Sequence, residues 1–279
     1  MKTVSKVYIF LIFAFLYAPL LIIALFSFNS TNSTSVFSEF SFRWYKELFK
    51  DEDTLTALKN TLILAAVSSA ISTVIGTAAA VGISKMKKGY ARKTVMTVTN
   101  IPMMNPDIVT GVSMMLLFVL VGTLVNKDNV LGFPTILIAH ITFELPYVIL
   151  SILPKIKQMD KHLPEAAQDL GCTPLQSFFK VELPAILPGI ITGFIMAFTL
   201  SMDDFVISYF ASGVGYQTLP IRIFSMTKRR VKPDMYALST LIFVSVLLLL
   251  ILMNLPSKEE RMKRKLMHQA KKAKKAKRA

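Results

Sequence analysis

The chain has 279 residues, of which 53% are hydrophobic and 18% charged, with a mean hydropathy of +0.53. A soluble domain carries about 25% charged residues and interrupts its apolar runs often, so this composition excludes the ordinary soluble class. The net charge of +15 does not imply nucleic acid, because 11 of the Lys/Arg residues fall from Lys258 onward against Glu259 and Glu260, and a basic tail after an apolar helix suits anionic membrane lipid.

The first apolar segment starts with Lys2 and Lys6, as a signal peptide would. It runs uncharged from Val7 to Glu39 and lacks a clear small-residue cleavage site, so it is expected as a retained first span over Val7–Phe28. A polar segment over Asn29–Lys59 follows, with an aromatic patch at Phe40, Phe42, Trp44 and Tyr45. Span 2 is expected over Thr61–Ile83, rich in small residues that let helices approach closely in lipid.

After a loop holding Lys85, Lys87, Lys88, Arg92 and Lys93, the only charge between Thr94 and Asn126 is Asp107. As one helix this stretch would reach about 50 Å at 1.5 Å per residue, too long for a hydrocarbon core of about 30 Å. Pro102 and Pro106 are expected to break it, leaving span 3 over Pro106–Val125. Span 4 is expected over Phe133–Leu153, a polar loop over Pro154–Pro184, span 5 over Ile186–Phe210 and span 6 over Tyr236–Asn254. The fold class is therefore all-α integral membrane, with about six transmembrane helices.

With both termini cytoplasmic, 22 Lys/Arg fall on the cytoplasmic side and 10 outside, the bias that membrane insertion favours. Arg222, Lys228, Arg229, Arg230 and Lys232 go against it, so that loop either dips into the protein or displaces the last two spans. Cys172 is the single cysteine, and His140, His162 and His268 are scattered, so neither an internal disulfide nor a zinc cluster is expected.

Four carboxylates lie within apolar stretches: Asp107, Glu144, Asp203 and Asp204. An ionised acid facing lipid costs about 2.5–3.5 kcal/mol, and no Lys or Arg shares these segments. A cationic cargo would supply the missing charge. Competing local roles stand beside this reading. Asp107 follows Pro106 and suits a helix start, Asp203–Asp204 suit a hydrated interface, and Glu144 lies four residues after His140, one helical turn away. Asp203 and Asp204 point about 100° apart on a helix, so one is expected toward a path and the other toward a neighbour. Trp44 suits a cation–π contact or an interfacial anchor equally.

The segment Leu163–Pro188 reads as two short helices. Pro164 and Glu165 suit a first turn, Gly171 a left-handed C-terminal position, and Thr173-Pro174 an N-cap with N1. The second helix is expected to end before Pro184. Glu165, Ala166, Ala167, Gly171, Leu183 and Pro184 resemble the EAA loop of ABC importer permeases, with Val181 where Ile is usual. Phe28-Asn29-Ser30, Trp44-Tyr45, Asn105 to Val109, His140 to Phe143 and Ser201 to Asp204 extend the likeness. In their order they resemble the second permease subunit of polyamine (spermidine/putrescine) importers.

The resemblance implies a cytoplasmic coupling helix between spans 4 and 5, with Glu165, Ala166, Ala167 and Gly171 meeting an ATPase. It places Trp44, Asp107, Ser201, Asp203 and Asp204 on the substrate path; Glu144 is a candidate from its chemistry alone. It implies a bacterial inner-membrane chain divided into residues 1–56 (first helix and outer loop), 57–256 (transmembrane domain, coupling loop 154–188) and 257–279 (basic tail). The implied partners are a second permease subunit, two copies of an ATP-binding subunit and an extracytoplasmic substrate-binding protein. No GxxxxGK[ST] loop occurs, so no cofactor is expected in this chain, and ATP and Mg would be bound by the ATPase subunits.

Overall fold

The computed structural model describes residues 2–31, 36–127, 129–160, 162–228 and 234–253. The basic tail, Arg229, Arg230, Lys232 and Asn254 lie outside the described residues. Every regular element among the described residues is helical: α1 Lys2–Phe26, α2 Arg43–Leu48, α3 Glu52–Lys85, α4 Tyr90–Met104, α5 Asp107–Leu124, α6 Phe133–Gln158, α7 Leu163–Asp169, α8 Pro174–Ser177, α9 Leu183–Asp203, α10 Val206–Ala211, α11 Leu219–Thr227 and α12 Asp234–Met253. Five of these stretches are long and apolar enough to cross a membrane.

The chain divides into two units, residues 1–50 with 231–279, and residues 51–230. In the first, α1 exposes nearly all its apolar side chains, as a helix facing lipid does. It ends at Phe26, two residues before the expected Phe28, because the chain there turns back on itself. Ser30 N–H donates to Glu39 O and Ser41 N–H to Phe28 O, and Phe28 stacks on Phe40 with centroids 4.9 Å apart.

In the second unit α3, α6 and α9 pack against one another. Their seam is built from small residues. A Cβ added to Gly76 of α3 would lie 2.6 Å from Val148 Cγ1 of α6, so only glycine permits this approach. Ala80, Val148, Ile149, Ile152, Ile186 and Ala197 close the core around it.

Several helix boundaries differ from expectation: α3 starts at Glu52 and not at Thr61, and α6 continues through Pro154 to Gln158, into the stretch expected as a polar loop. Pro102 sits inside α4, and the break falls at Asn105-Pro106, where extended Asn105 suits a residue preceding proline. The helix over Pro174–Asp203 passes through Pro184 instead of ending before it. A π-helical turn over Phe178–Glu182 accommodates the proline there, because its wider hydrogen bonding relieves the clash with the carbonyl four residues back. Span 5 stops at Asp203 and restarts at Val206 as α10.

The basic exception after span 5 is partly neutralised. Arg222 of α11 is half-buried and reaches Asp51 Oδ2 at 3.3 Å and Asp53 Oδ2 at 3.2 Å. Thr61 Oγ1 accepts from Leu219 N–H at 2.7 Å, fixing α11 to α3. Burial pushes the Asp51 carboxyl up, but hydrogen bonds from Thr54 and Arg222 outweigh it and leave its pKa below the ordinary 3.8.

Gly76→Ala is expected to lower stability by about 1–3 kcal/mol through overpacking. Gly82→Ala, where nothing lies within 4 Å, should be neutral or stabilising; thermal unfolding in detergent compares them. The depressed Asp51 pKa contributes stability that is present above the ordinary carboxylate value and lost as pH falls through the lower folded value. Asp51→Asn should therefore flatten the acid limb of the stability curve, read by unfolding at stepped pH.

Candidate functional site

The centre of the second unit holds polar side chains from four helices. Ser68 and Ser72 are one turn apart on α3, and His140 and Glu144 one turn apart on α6. Glu144 is fully buried. Its Oε1 accepts from Ser68 Oγ at 2.7 Å and its Oε2 from Ser72 Oγ at 2.8 Å. Ser68 Oγ also lies 3.1 Å from Ser201 Oγ of α9.

His140 continues the chain of bonds. Its Nδ1 is 2.7 Å from Ser201 Oγ, and its Nε2 is 3.0 Å from Ser208 Oγ of α10 and 3.5 Å from Asp204 Oδ2. The local His140–Glu144 hydrogen bond weighed from the sequence is not formed: the closest atoms are 4.0 Å apart. Ser201 of α9 takes the histidine Nδ1 instead.

Asp204 and Asp203 occupy the gap between α9 and α10, and they differ. Asp204 is turned inward, accepting from Ile207 N–H at 3.3 Å and Ser208 N–H at 2.7 Å, so it caps the start of α10. Asp203 is exposed and has no basic partner among the described residues. Asp107 stands at the other gap, in the first turn of α5, again exposed and without a basic partner among the described residues. Beside that gap a groove of about 290 Å³ is lined by Asn105, Thr110, Ser113 and Thr142 with Pro102 and Phe143.

Trp44 lies in the other unit. The residue is 4% exposed, and its Nε1–H donates to Asn29 O at 2.6 Å. Arg43 sits 5.1 Å from the ring centroid, so the cation–π position is taken by a residue of the chain itself.

The hairpin between α6 and α9 has a defined shape. Gly171 adopts φ +89, and Cys172 N–H donates to Ala167 O while Gly171 N–H donates to Gln168 O, the two bonds of a Schellman ending. Thr173 and Gln176 form a capping box on α8. Ser177 Oγ donates to Pro164 O at 3.1 Å and ties the two arms. Ala167 is buried in that seam, while Glu165 and Ala166 are exposed, Glu165 lying 3.3 Å from His162 Nδ1. Leu170, at 88% exposure, leads a surface of Leu163, Leu175 and Phe179.

Ser68, Ser72 and Ser208 were not legible as site residues. On α3 the signal was a polar stripe, Ser68 and Ser72 in the register of Gly76, which reads first as close packing. No group of three or more metal-ligating side chains converges among the described residues.

The family model described as binding-protein-dependent transport system inner membrane component matches residues 72–257. The chain belongs to this family. It is 40% identical over 234 residues to the putrescine transport system permease protein PotI of Escherichia coli K12, covering 84% of this chain and 83% of that protein. It is 36% identical over 248 residues to the spermidine/putrescine transport system permease protein PotC of Haemophilus influenzae, covering 89% and 94%. A bacterial ABC transporter that imports the acidic polysaccharide alginate shares the fold, with TM-score 0.71 and 17% identity over 90% of this chain and 93% of that one. A second structure of an alginate transporter, in complex with a pentasaccharide-bound periplasmic protein, gives 0.70 and 18% over 90% and 91%. This permease is thus an all-helical inner-membrane transport subunit and not an enzyme.

Removing the Glu144 carboxylate leaves two buried hydroxyls without their acceptor. Glu144→Ala should lower stability by about 1–3 kcal/mol, and Glu144→Gln, which keeps one acceptor oxygen, by less. Thermal unfolding of the detergent-purified permease reads both.

Proposed function

We propose that this permease forms half of the translocation pathway of an ATP-driven importer for polyamines. A second permease subunit completes the pathway, and an extracytoplasmic binding protein delivers the cargo. Two ATP-binding subunits, holding ATP and Mg, dock on the hairpin around Glu165, Ala166, Ala167 and Gly171. Both termini and the hairpin are cytoplasmic in this reading, in line with the basic-residue bias.

One observation carries the substrate class. A chain that aligns with PotI and PotC over 84% and 89% of its length leaves Asp107 and Asp203 exposed at two helix breaks with no basic partner among the described residues. Lipid cannot solvate such groups cheaply, so they suit a polar cavity shared with the second subunit. A di- or triamine brings separated positive charges to separated carboxylates. Discontinuous helices at mid-span are where transporters build such sites.

Glu144, Ser201 and Asp204 act differently in this reading. They are satisfied internally and hold α3, α6, α9 and α10 in register around the path. Trp44 braces the loop after α1 through Asn29. The hairpin offers leucines and a phenylalanine on a rigid, glycine-terminated turn, which suits insertion into a groove of a separate motor.

Spermidine uptake by the reconstituted importer tests this. Asp203→Asn and Asp107→Asn are each expected to lower uptake about tenfold or more while ATP hydrolysis continues. Glu165→Arg should separate hydrolysis from uptake with membrane insertion intact. Unimpaired spermidine uptake by both aspartate variants contradicts the acid path, whereas no spermidine uptake by the unaltered importer favours a different small solute for the same machine.

A further inference from the structure

The end of the second unit that carries the hairpin holds a larger cavity, of about 960 Å³. Five cations line it: Lys85 from the last turn of α3, Lys88, Arg92 and Lys93 from the loop and first turn of α4, and Lys157 from the last turn of α6. Glu182 is the only acid in the wall, and it is engaged by Lys85 at 3.6 Å. Lys88, Arg92, Lys93 and Lys157 have no ion-pair partner among the described residues. The start of α4 adds to the field: Gly89 supplies no side-chain cap and the first turn contains no acid. Like charges gathered around one cavity repel one another, and a bound anion relieves that repulsion.

Apart from Ser84 and Gln168 the remaining wall is apolar, with Met96, Leu153, Ile156 and Met159 next to the cations. α4 buries none of its residues, and Val95, Val98 and Ile101 stay exposed along it. Cations at the ends of spans stand at headgroup depth, and the apolar side of α4 continues inward from them. A small free anion would leave the apolar wall bare, whereas a phosphodiester carrying acyl chains fills both parts.

We propose that this cavity binds the headgroup phosphate of an anionic phospholipid, with an acyl chain lying along α4. Basic pockets between membrane helices suit such headgroups. The site adjoins Pro164 and Gln168 of the hairpin, so an occupied cavity braces the base of the arm that α7 forms. The proposal requires only that the chain spans a membrane, and it stands whatever the cargo is.

Native mass spectrometry of the full chain in detergent, titrated with phosphatidylglycerol and with phosphatidylcholine, tests it. One phosphatidylglycerol should be retained about tenfold or more tightly than phosphatidylcholine, an effect of several near-surface cations acting together. The Lys88→Gln, Arg92→Gln, Lys157→Gln triple variant should lose that preference. Lys87→Gln, in the same loop but outside the cavity wall, should keep it. Lys88→Gln alone, at an exposed loop position, carries the test if the triple variant misfolds. Equal affinity for the two lipids overturns the proposal, as does loss of preference in Lys87→Gln equal to that in Lys88→Gln. Complete displacement of the lipid by inorganic phosphate at matched concentration assigns the cavity to the free anion and overturns the lipid.

Discussion

The carboxylate of Glu144, buried between two serine hydroxyls, is the interaction on which the second unit depends. A carboxyl group removed from water in a helix bundle is tolerated only where its oxygens are satisfied. Here one oxygen is held by Ser68 and the other by Ser72. That demand fixes the register of α3 against α6, because sliding either helix by one residue would strand the acid. The same demand sets the distance: Gly76 lets the two backbones come close enough for serine, a short side chain, to reach. From Ser68 the order passes to Ser201, then His140, and ends at Asp204, which caps α10.

This chain of bonds explains why the helix after the hairpin can stop in mid-span. Ending α9 at Asp203 frees backbone groups that lipid would leave unsatisfied. Asp204 takes two of the amides at the start of α10 and is itself held by His140. The break is therefore supported from within, and Asp203 is turned the other way, free of internal obligations. The second break, at Asn105-Pro106, follows the same logic with proline supplying the stop and Asp107 the first-turn charge. Each of the two discontinuities presents an exposed acid, Asp203 at one and Asp107 at the other.

Much of this was legible in the sequence, and the residues show why. Uncharged run lengths pointed to the five helices long and apolar enough to cross a membrane among the described residues, one fewer than the six expected. Gly171 and Thr173-Pro174 gave the hairpin turn, because left-handed backbone and N-caps have narrow residue preferences. The acids were visible as isolated charges. Their partners were not, because Ser68 and Ser72 read equally well as packing residues, and the join of Ser201 to His140 links positions 61 residues apart. Pro184 misled for a related reason: a proline breaks a helix only where the turn before it cannot widen, and here a π turn provides the room. Trp44 read as a cation–π contact or an interfacial anchor; the segment after α1 buries it and supplies both Arg43 over its ring and Asn29 O for its N–H.

The central claim, that an inner hairpin receives work from a separate ATP-driven subunit, has a direct probe already in the chain. Cys172 is its only cysteine and sits at the hairpin turn, partly exposed. A membrane-impermeant maleimide should label it in inside-out vesicles and not in intact spheroplasts, and the assembled ATPase should protect it. Labelling from the outer face of intact spheroplasts, or labelling unchanged by the ATPase, would contradict the account.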